Sequence, residues 1–163
     1  MFRQMRRHKQ LLSQEAASEI LNRNTCGVLA LLGDDEYPYA LPLSYVYADN
    51  KLYFHSAVEG HKIDALNKHD KVSFCVVDQD QVIPEKLTTY FRSVIAFGRI
   101  RLIESPEEKR RIATVLAMKY SADFKDKIPA EIDSSMGRMA ILEMEIEHIT
   151  GKEAIELVKK GTV

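Results

Sequence analysis

Residues 37–62 read YPYALPLSYVYADNKLYFHSAVEGHK, and most of what the chain is expected to become follows from them. Tyr39, Leu41, Leu43, Tyr45 and Tyr47 alternate with smaller or polar residues, the period of a strand with one buried face. Ala48-Asp49-Asn50-Lys51 is a turn signal, and KLYFHSA (51–57) resumes strand patterning, so the two runs are expected to pair as a hairpin. Five tyrosines (37, 39, 45, 47 and 53) make that hairpin aromatic; they suit a sheet and would also wall a flat ligand. The chain then passes through Val58-Glu59-Gly60 into a helical pattern over 59–69, with Ile63 and Leu66 at helical spacing. Unpaired N–H groups and the positive end of the dipole at such a start attract an anion, above all a phosphate. Lys62 opposes that dipole, and a bound phosphate would reverse the sign of the penalty. His55 or His61 would add a donor and Ser56 a hydroxyl. The plainer alternative, with Glu59 as the dipole's partner and His61 and Lys62 solvated, stays open on these residues alone.

Outward from this segment the pattern stays β-rich. Ser13 is placed to cap a short amphipathic helix reaching Arg23, and residues 27–32 form a strand closed by the turn Gly33-Asp34-Asp35-Glu36. KVSFCVVD (71–78) is a strand, 78–86 a polar loop, and 88–103 a long strand in which Gly98 marks a bulge or bend. Pro106 opens a second helix with Glu107 and Glu108 in its first turn, running to about Tyr120. Residues 121–136 fit no single pattern. The last strand sets Ala140, Leu142, Met144 and Ile146 against Ile141, Glu143, Glu145 and Glu147, one apolar and one solvated face. Successive strands without βαβ alternation imply a mainly β, α+β fold, an antiparallel sheet or barrel with helices outside.

Length and composition narrow the function. At 163 residues with 45% hydrophobic and 29% charged residues, the chain is sized for one globular domain, expected to span 1–163. Its 23 basic and 24 acidic residues argue against a general nucleic-acid binder. Four of the basic residues stand in the first ten, but Ser13, Gln14, Glu15 and Glu19 interrupt the apolar run behind them, so neither export nor a membrane span is expected. Cys26 and Cys75 lie singly in apolar runs, without a C-x-x-C, which favours the cytoplasm. His55 and His61 match no metal-ligand spacing, no G-x-S-x-G occurs, and neither cysteine adjoins a histidine; neither a metal nor a nucleophilic residue is expected.

Three stretches then combine: Tyr37-Pro38-Tyr39 with Pro42-Leu43 and Tyr45; Tyr53-Phe54-His55-Ser56-Ala57 with Gly60-His61-Lys62; and Arg92-Ser93-Val94-Ile95 with Phe97-Gly98. With Glu147-His148-Ile149-Thr150-Gly151-Lys152, this ordered set resembles the pyridoxamine 5′-phosphate oxidase-like flavoproteins, in particular the 5-nitroimidazole-resistance branch, over residues 6–153. The resemblance implies a split β-barrel binding FMN at a homodimer interface, with FAD as a variant. It implies that Pro42, Leu43, Ser44 and Tyr45 border the isoalloxazine, that His55 and Ser56 lie near the ribityl chain and phosphate, and that His61 and Lys62 clamp the phosphate. Ser93 stands where related oxidases carry a flavin-contacting glutamine. The arginine- and tryptophan-containing C-terminal motifs of true pyridoxamine phosphate oxidases are missing, and the chain has no tryptophan, so vitamin B6 is not the expected substrate. What the resemblance implies instead is a flavin-dependent oxidoreductase, a nitroreductase in this branch. His55 is the candidate that assists nitro reduction, and a nicotinamide or another reduced carrier is the donor. The competing expectation is a flavin- or haem-binding protein without efficient turnover, for which His55, His61, His69 and His148 are the available axial ligands.

Overall fold

The structure, a computed structural model, describes residues 1–159. Strands β1 (Cys26–Leu32), β2 (Pro38–Ser44), β3 (Val46–Ala48), β4 (Lys51–Ala57), β5 (Lys71–Ile83), β6 (Thr88–Leu102) and β7 (Met139–Glu153) form one sheet in the order β2-β1-β5-β6-β7-β4-β3. All pairings are antiparallel. β2 and β4, near opposite ends of that order, touch each other, so the sheet curls into the expected split barrel. Inward residues Leu29, Leu52, Phe54, Phe74, Val94 and Leu142 fill it, each worth roughly 1.5–3 kcal/mol of burial.

Helix α1 (Gln14–Arg23) starts where expected: the Ser13 hydroxyl accepts from the Ala16 amide at 3.1 Å, and Ala17, Ile20 and Leu21 join the barrel core. α2 (His61–Lys68) begins later than the 59–69 pattern, because Gly60 caps it at φ +116°, a conformation glycine alone adopts without strain. α3 (Pro106–Ser121) has Ser105 as cap and Pro106 in its first turn. The ambiguous 121–136 region is a 3₁₀ segment, Ala122–Lys127, followed by α4 (Ile128–Ser135), with α5 (Ile155–Val158) after β7. α3 and α4 cover a second core built on Val46, Tyr53, Ile112, Leu116, Ile132 and Ile141. None of the helices among the described residues is long and apolar enough to cross a membrane.

Three expectations need correction. Residues 37–48 are not one arm of a hairpin with 51–57. They split at Tyr45: β2 pairs with β1 at one edge of the sheet, and only β3 pairs with β4 at the other, through an Asp49-Asn50 turn with both residues at positive φ. Alternation continues unbroken across the split because Tyr45 itself points into the core, so the pattern carries no mark of the change of partner.

The polar run 78–86 is mostly strand as well. β5 continues to Ile83, paired with β6 from Gln79↔Arg92 to Ile83↔Thr88 beyond a bulge at Asp78. A two-stranded arm needs no apolar face, which is why its residues resemble a loop.

The solvated face of the last strand is solvated only in part. Ile141 is fully buried and Glu143 is 4% exposed, since α3 and α4 lie over that end. Glu143 is paired there with Lys51 (3.2 Å) and Arg101 (2.7 Å). Gly98 does mark a register shift between β6 and β7, and a Cβ there would run into the Glu145 carbonyl.

At the bulge, Asp78 accepts from Arg23 (2.6 and 2.8 Å) and Asn24 (2.8 Å), with Arg92 at 3.6 Å. Burial alone would raise its carboxyl, but these bonds and charges outweigh it and hold the carboxyl below the usual range. The network therefore favours folding at any pH above the unfolded aspartate value near ~3.9, and the contribution is lost as pH falls through the lower folded value. Asp78→Asn is expected to cost about 1.5–3 kcal/mol at pH 7 by urea unfolding, with the gap to wild type narrowing below about pH 4. A gap independent of pH would contradict this account.

Candidate functional site

Closure of the sheet, rather than proximity in sequence, assembles the site. At the seam the end of β2 faces the end of β4, and α3 and α4 roof the gap. Between them lies a cavity of about 560 Å³, lined by Ser44, His55, Ser56, Tyr120, Glu131 and Arg138 among its polar groups. Leu116, Ile132 and Met139 supply its apolar wall, with Ala57, Ala113 and Ala117 leaving space between them. His55 follows Tyr53 on the helix-facing side of β4 and is exposed to this cavity, paired through its backbone with Ile141.

Of the residues singled out in sequence, Ser44, His55 and Ser56 meet at this cavity, while Pro42, Leu43, Tyr45, His61, Lys62 and Ser93 do not line it. Pro42 stands exposed on the outer side of β2, opposite Val28, while Leu43 packs toward the barrel core. Tyr45 is fully buried, with its hydroxyl donating to the Leu21 carbonyl at 2.8 Å. Its backbone amide donates to the Tyr120 hydroxyl at 2.8 Å, and that hydroxyl lies 2.7 Å from both the Tyr45 and Thr25 carbonyl oxygens. The Tyr45 amide is thus already bonded, and the single Tyr120 proton serves either the Tyr45 or the Thr25 carbonyl. Desolvation raises the Tyr120 hydroxyl above its usual value, so it keeps the proton it donates. Ser93 sits on the outer sheet face between Val77 and Lys152.

His61 and Lys62 begin α2 but diverge. The His61 ring stacks on Tyr39 (centroids 4.3 Å apart, planes at 11°), and its Nε2 lies 3.6 Å from the Asp34 carboxylate. Lys62 is half-buried and has no hydrogen-bond or ion-pair partner among the described residues. Burial pushes its ammonium below the usual lysine range. A half-buried cation beside the positive end of a helix, with no carboxylate against it among the described residues, suits an anion. By that measure the residues fit a phosphate-bearing cofactor: Lys62 has no partner among the described residues, and His61 is stacked on Tyr39 near Asp34.

Tyr120, Glu131, Ser135 and Arg138 are the polar lining residues that the sequence reading missed. Tyr120 was visible as a helix end without a role. The others lie in or just after the ambiguous stretch, where Ile128 and Ile132, four apart with Pro129 between them, were the available signal of a helix.

Residues 13–153 match the family model described as pyridoxamine 5′-phosphate oxidase. No curated protein matches the chain. Among solved structures it is similar to a Bacteroides thetaiotaomicron protein provisionally assigned to 5-nitroimidazole antibiotic resistance, with 22% identity over 88% of this chain and 86% of that one and a TM-score of 0.73. It is similar to the flavocytochrome Anf3 of Azotobacter vinelandii at 18% identity over 93% and 72%, TM-score 0.76. It is also similar to the FAD- and haem-binding protein of Mycobacterium smegmatis at 20% identity over 95% and 81%, TM-score 0.73. At these identities the likeness is one of fold.

Tyr120→Phe removes the one hydroxyl that serves the Tyr45 amide and carbonyl. A loss of about 1–3 kcal/mol is expected, seen as a Tm lower by roughly 2–4 °C per kcal/mol. An unchanged Tm would show that water replaces the bond at no cost.

Proposed function

The chain belongs to the pyridoxamine 5′-phosphate oxidase family, and from that premise we propose that it is an FMN-dependent oxidoreductase reducing nitro compounds of the 5-nitroimidazole type. Electrons come from a reduced nicotinamide or an equivalent carrier. The observation that carries the reading is Lys62, a half-buried ammonium at the start of α2 with no internal partner among the described residues. The names of the flavocytochrome and of the FAD- and haem-binding neighbour support a flavin. FAD in place of FMN is the second reading, favoured by the FAD that the latter protein binds.

A bound flavin supplies the two-electron chemistry, and the protein's share is binding, orientation and protons. Lys62 holds the phosphate as a charge-assisted donor, and the Ser56 hydroxyl lies at the strand end that leads to it. Reducing a nitro group to an amine takes six electrons and six protons, so a proton donor must stand near the substrate. His55 is the imidazole that lines the cavity, and it holds that proton toward the nitro oxygens.

The functional unit in this proposal is a homodimer with flavin sites at the interface. Val28, Cys75 and Ile95 lie side by side on the outer sheet face, beside the Ser73–Phe97 pair. Val28, Ile95 and Phe97 are exposed in the single chain. A contiguous apolar face of this kind suits a second copy. The proposal places the protein in the cytoplasm, where free Cys26 and Cys75 stay reduced.

The purified protein is expected to be a yellow dimer by light scattering, releasing FMN by mass on denaturation. Lys62→Ala should weaken FMN binding by about 1.5–3 kcal/mol in fluorescence titrations, and Lys62→Arg should restore most of it. Affinity should also fall as pH rises toward the lowered Lys62 value, where the ammonium loses its charge. A folded Lys62→Ala protein with unchanged FMN affinity would remove the basis of the reading. For the chemistry, His55→Ala should keep its flavin yet slow anaerobic nitroimidazole reduction by about 100-fold or more. Equal rates would take His55 out of the reaction.

A further inference from the structure

The cavity under α3 and α4 meets the candidate cofactor residues at Ser44, His55 and Ser56. Arg138, which directly precedes the Met139 paired with Ala57, also lines it, and no flavin contact implied by the resemblance involves it. Arg23, Arg92, Arg99, Arg101, Arg110 and Arg111 each sit against an aspartate or glutamate. From Arg23 onward, Arg138 is the exception among the described arginines: its guanidinium has no carboxylate partner although it lines a cavity with apolar walls.

We propose that this cavity is the substrate pocket and that it takes a flat, mainly apolar small molecule bearing one carboxylate, held by Arg138. The inference rests on the flavin reading above and extends it from neutral nitro compounds to aromatic carboxylates. A planar guanidinium matches a carboxylate with two parallel hydrogen bonds, which gives direction as well as charge. A volume of about 560 Å³ lies within the range of small-ligand sites. Ala113 and Ala117 line the cavity, and their small side chains leave room in it. A carboxylate held at Arg138 leaves the ring in the same cavity as His55 and Ser44. Glu131 is the opposing charge among the lining residues, and it too lacks an ion-pair partner among those described. It penalises a second negative charge, so the pocket suits a monoanion.

The test uses the flavin-loaded protein and two probes of one shape, 4-nitrobenzoate and neutral 4-nitrobenzamide, with binding read by calorimetry and flavin content by visible absorption. Wild type should bind the acid about tenfold or more tighter than the amide. Arg138→Gln should erase that preference while amide binding stays unchanged, Arg138→Lys should keep part of it, and Glu131→Gln should tighten the acid two- to threefold. The unchanged amide distinguishes a lost anchor from a damaged fold. Equal binding of acid and amide by wild type, a preference that survives Arg138→Gln, or a weaker acid in Glu131→Gln would overturn the proposal. So would displacement of flavin by the acid, which would assign the cavity to the cofactor. Full flavin occupancy without an acid preference sinks this inference alone. Failure to take up flavin sinks the reading beneath it, and the same two probes titrated into the flavin-free chain then decide the pocket.

Discussion

The hydroxyl of Tyr120 holds the one point where the chain leaves one edge of the sheet and joins the other. A residue at such a crossing has no neighbouring strand for its amide and carbonyl, and leaving both without partners costs more than most single contacts contribute. Tyr120 accepts from the Tyr45 amide, and its one proton lies within reach of both the Tyr45 and the Thr25 carbonyls. Because Tyr120 ends α3, the same bonds pin the helical layer to the barrel. The Tyr45 ring then continues inward, edge-on to Phe74 at 4.9 Å and under the Lys119 ammonium at 4.3 Å, with its hydroxyl on α1. The roof of the cavity and the seam beneath it are thus fixed by one pair of tyrosines.

Electrostatics divides the molecule in the same way. A net charge of −1 describes a chain that consumes most of its arginines internally. Asp78 and Glu153 hold Arg92 across three strands, Asp70 and Glu147 flank Arg99, and Glu143 lies between Lys51 and Arg101. Against that background Arg138 stands out among the arginines from Arg23 onward, and Lys62 is half-buried with no carboxylate partner among the described residues. One stands at a helix start and the other beside an apolar cavity. A nearly neutral protein is therefore compatible with two local anion sites, since each needs only one uncompensated cation.

Much of the fold was legible. The Ser13 cap, the start of α3 at Pro106, the bulge at Gly98 and the strand over 51–57 are local features with local causes, namely a capping hydroxyl, a fixed proline φ, a missing Cβ and a two-residue period. What was misread depends on partners. Strand periodicity reports which face is buried but not against which strand, so residues 37–48 looked like one arm until the sheet separated Ser44 from Val46. Glu143 looked solvated because its neighbours Glu145 and Glu147 are, and only the helices lying over one end of β7 distinguish it from them.

For the site, the sequence by itself determined the residue types and their local frames: His55 and Ser56 at a strand end, Gly60 at the turn, Lys62 at a helix start. Those are properties of short segments, set by backbone sterics, periodicity and dipoles acting over a few residues. The tertiary structure decided which of them meet. Closure of β2 against β4 brought Ser44 to His55, α3, α4 and the turn after α4 added Tyr120, Glu131 and Arg138, and stacking on Tyr39 beside Asp34 engaged His61 while Lys62 has no partner among the described residues. Distances between remote segments follow from how the sheet curls and where its cores close, and no pattern within a single segment encodes them.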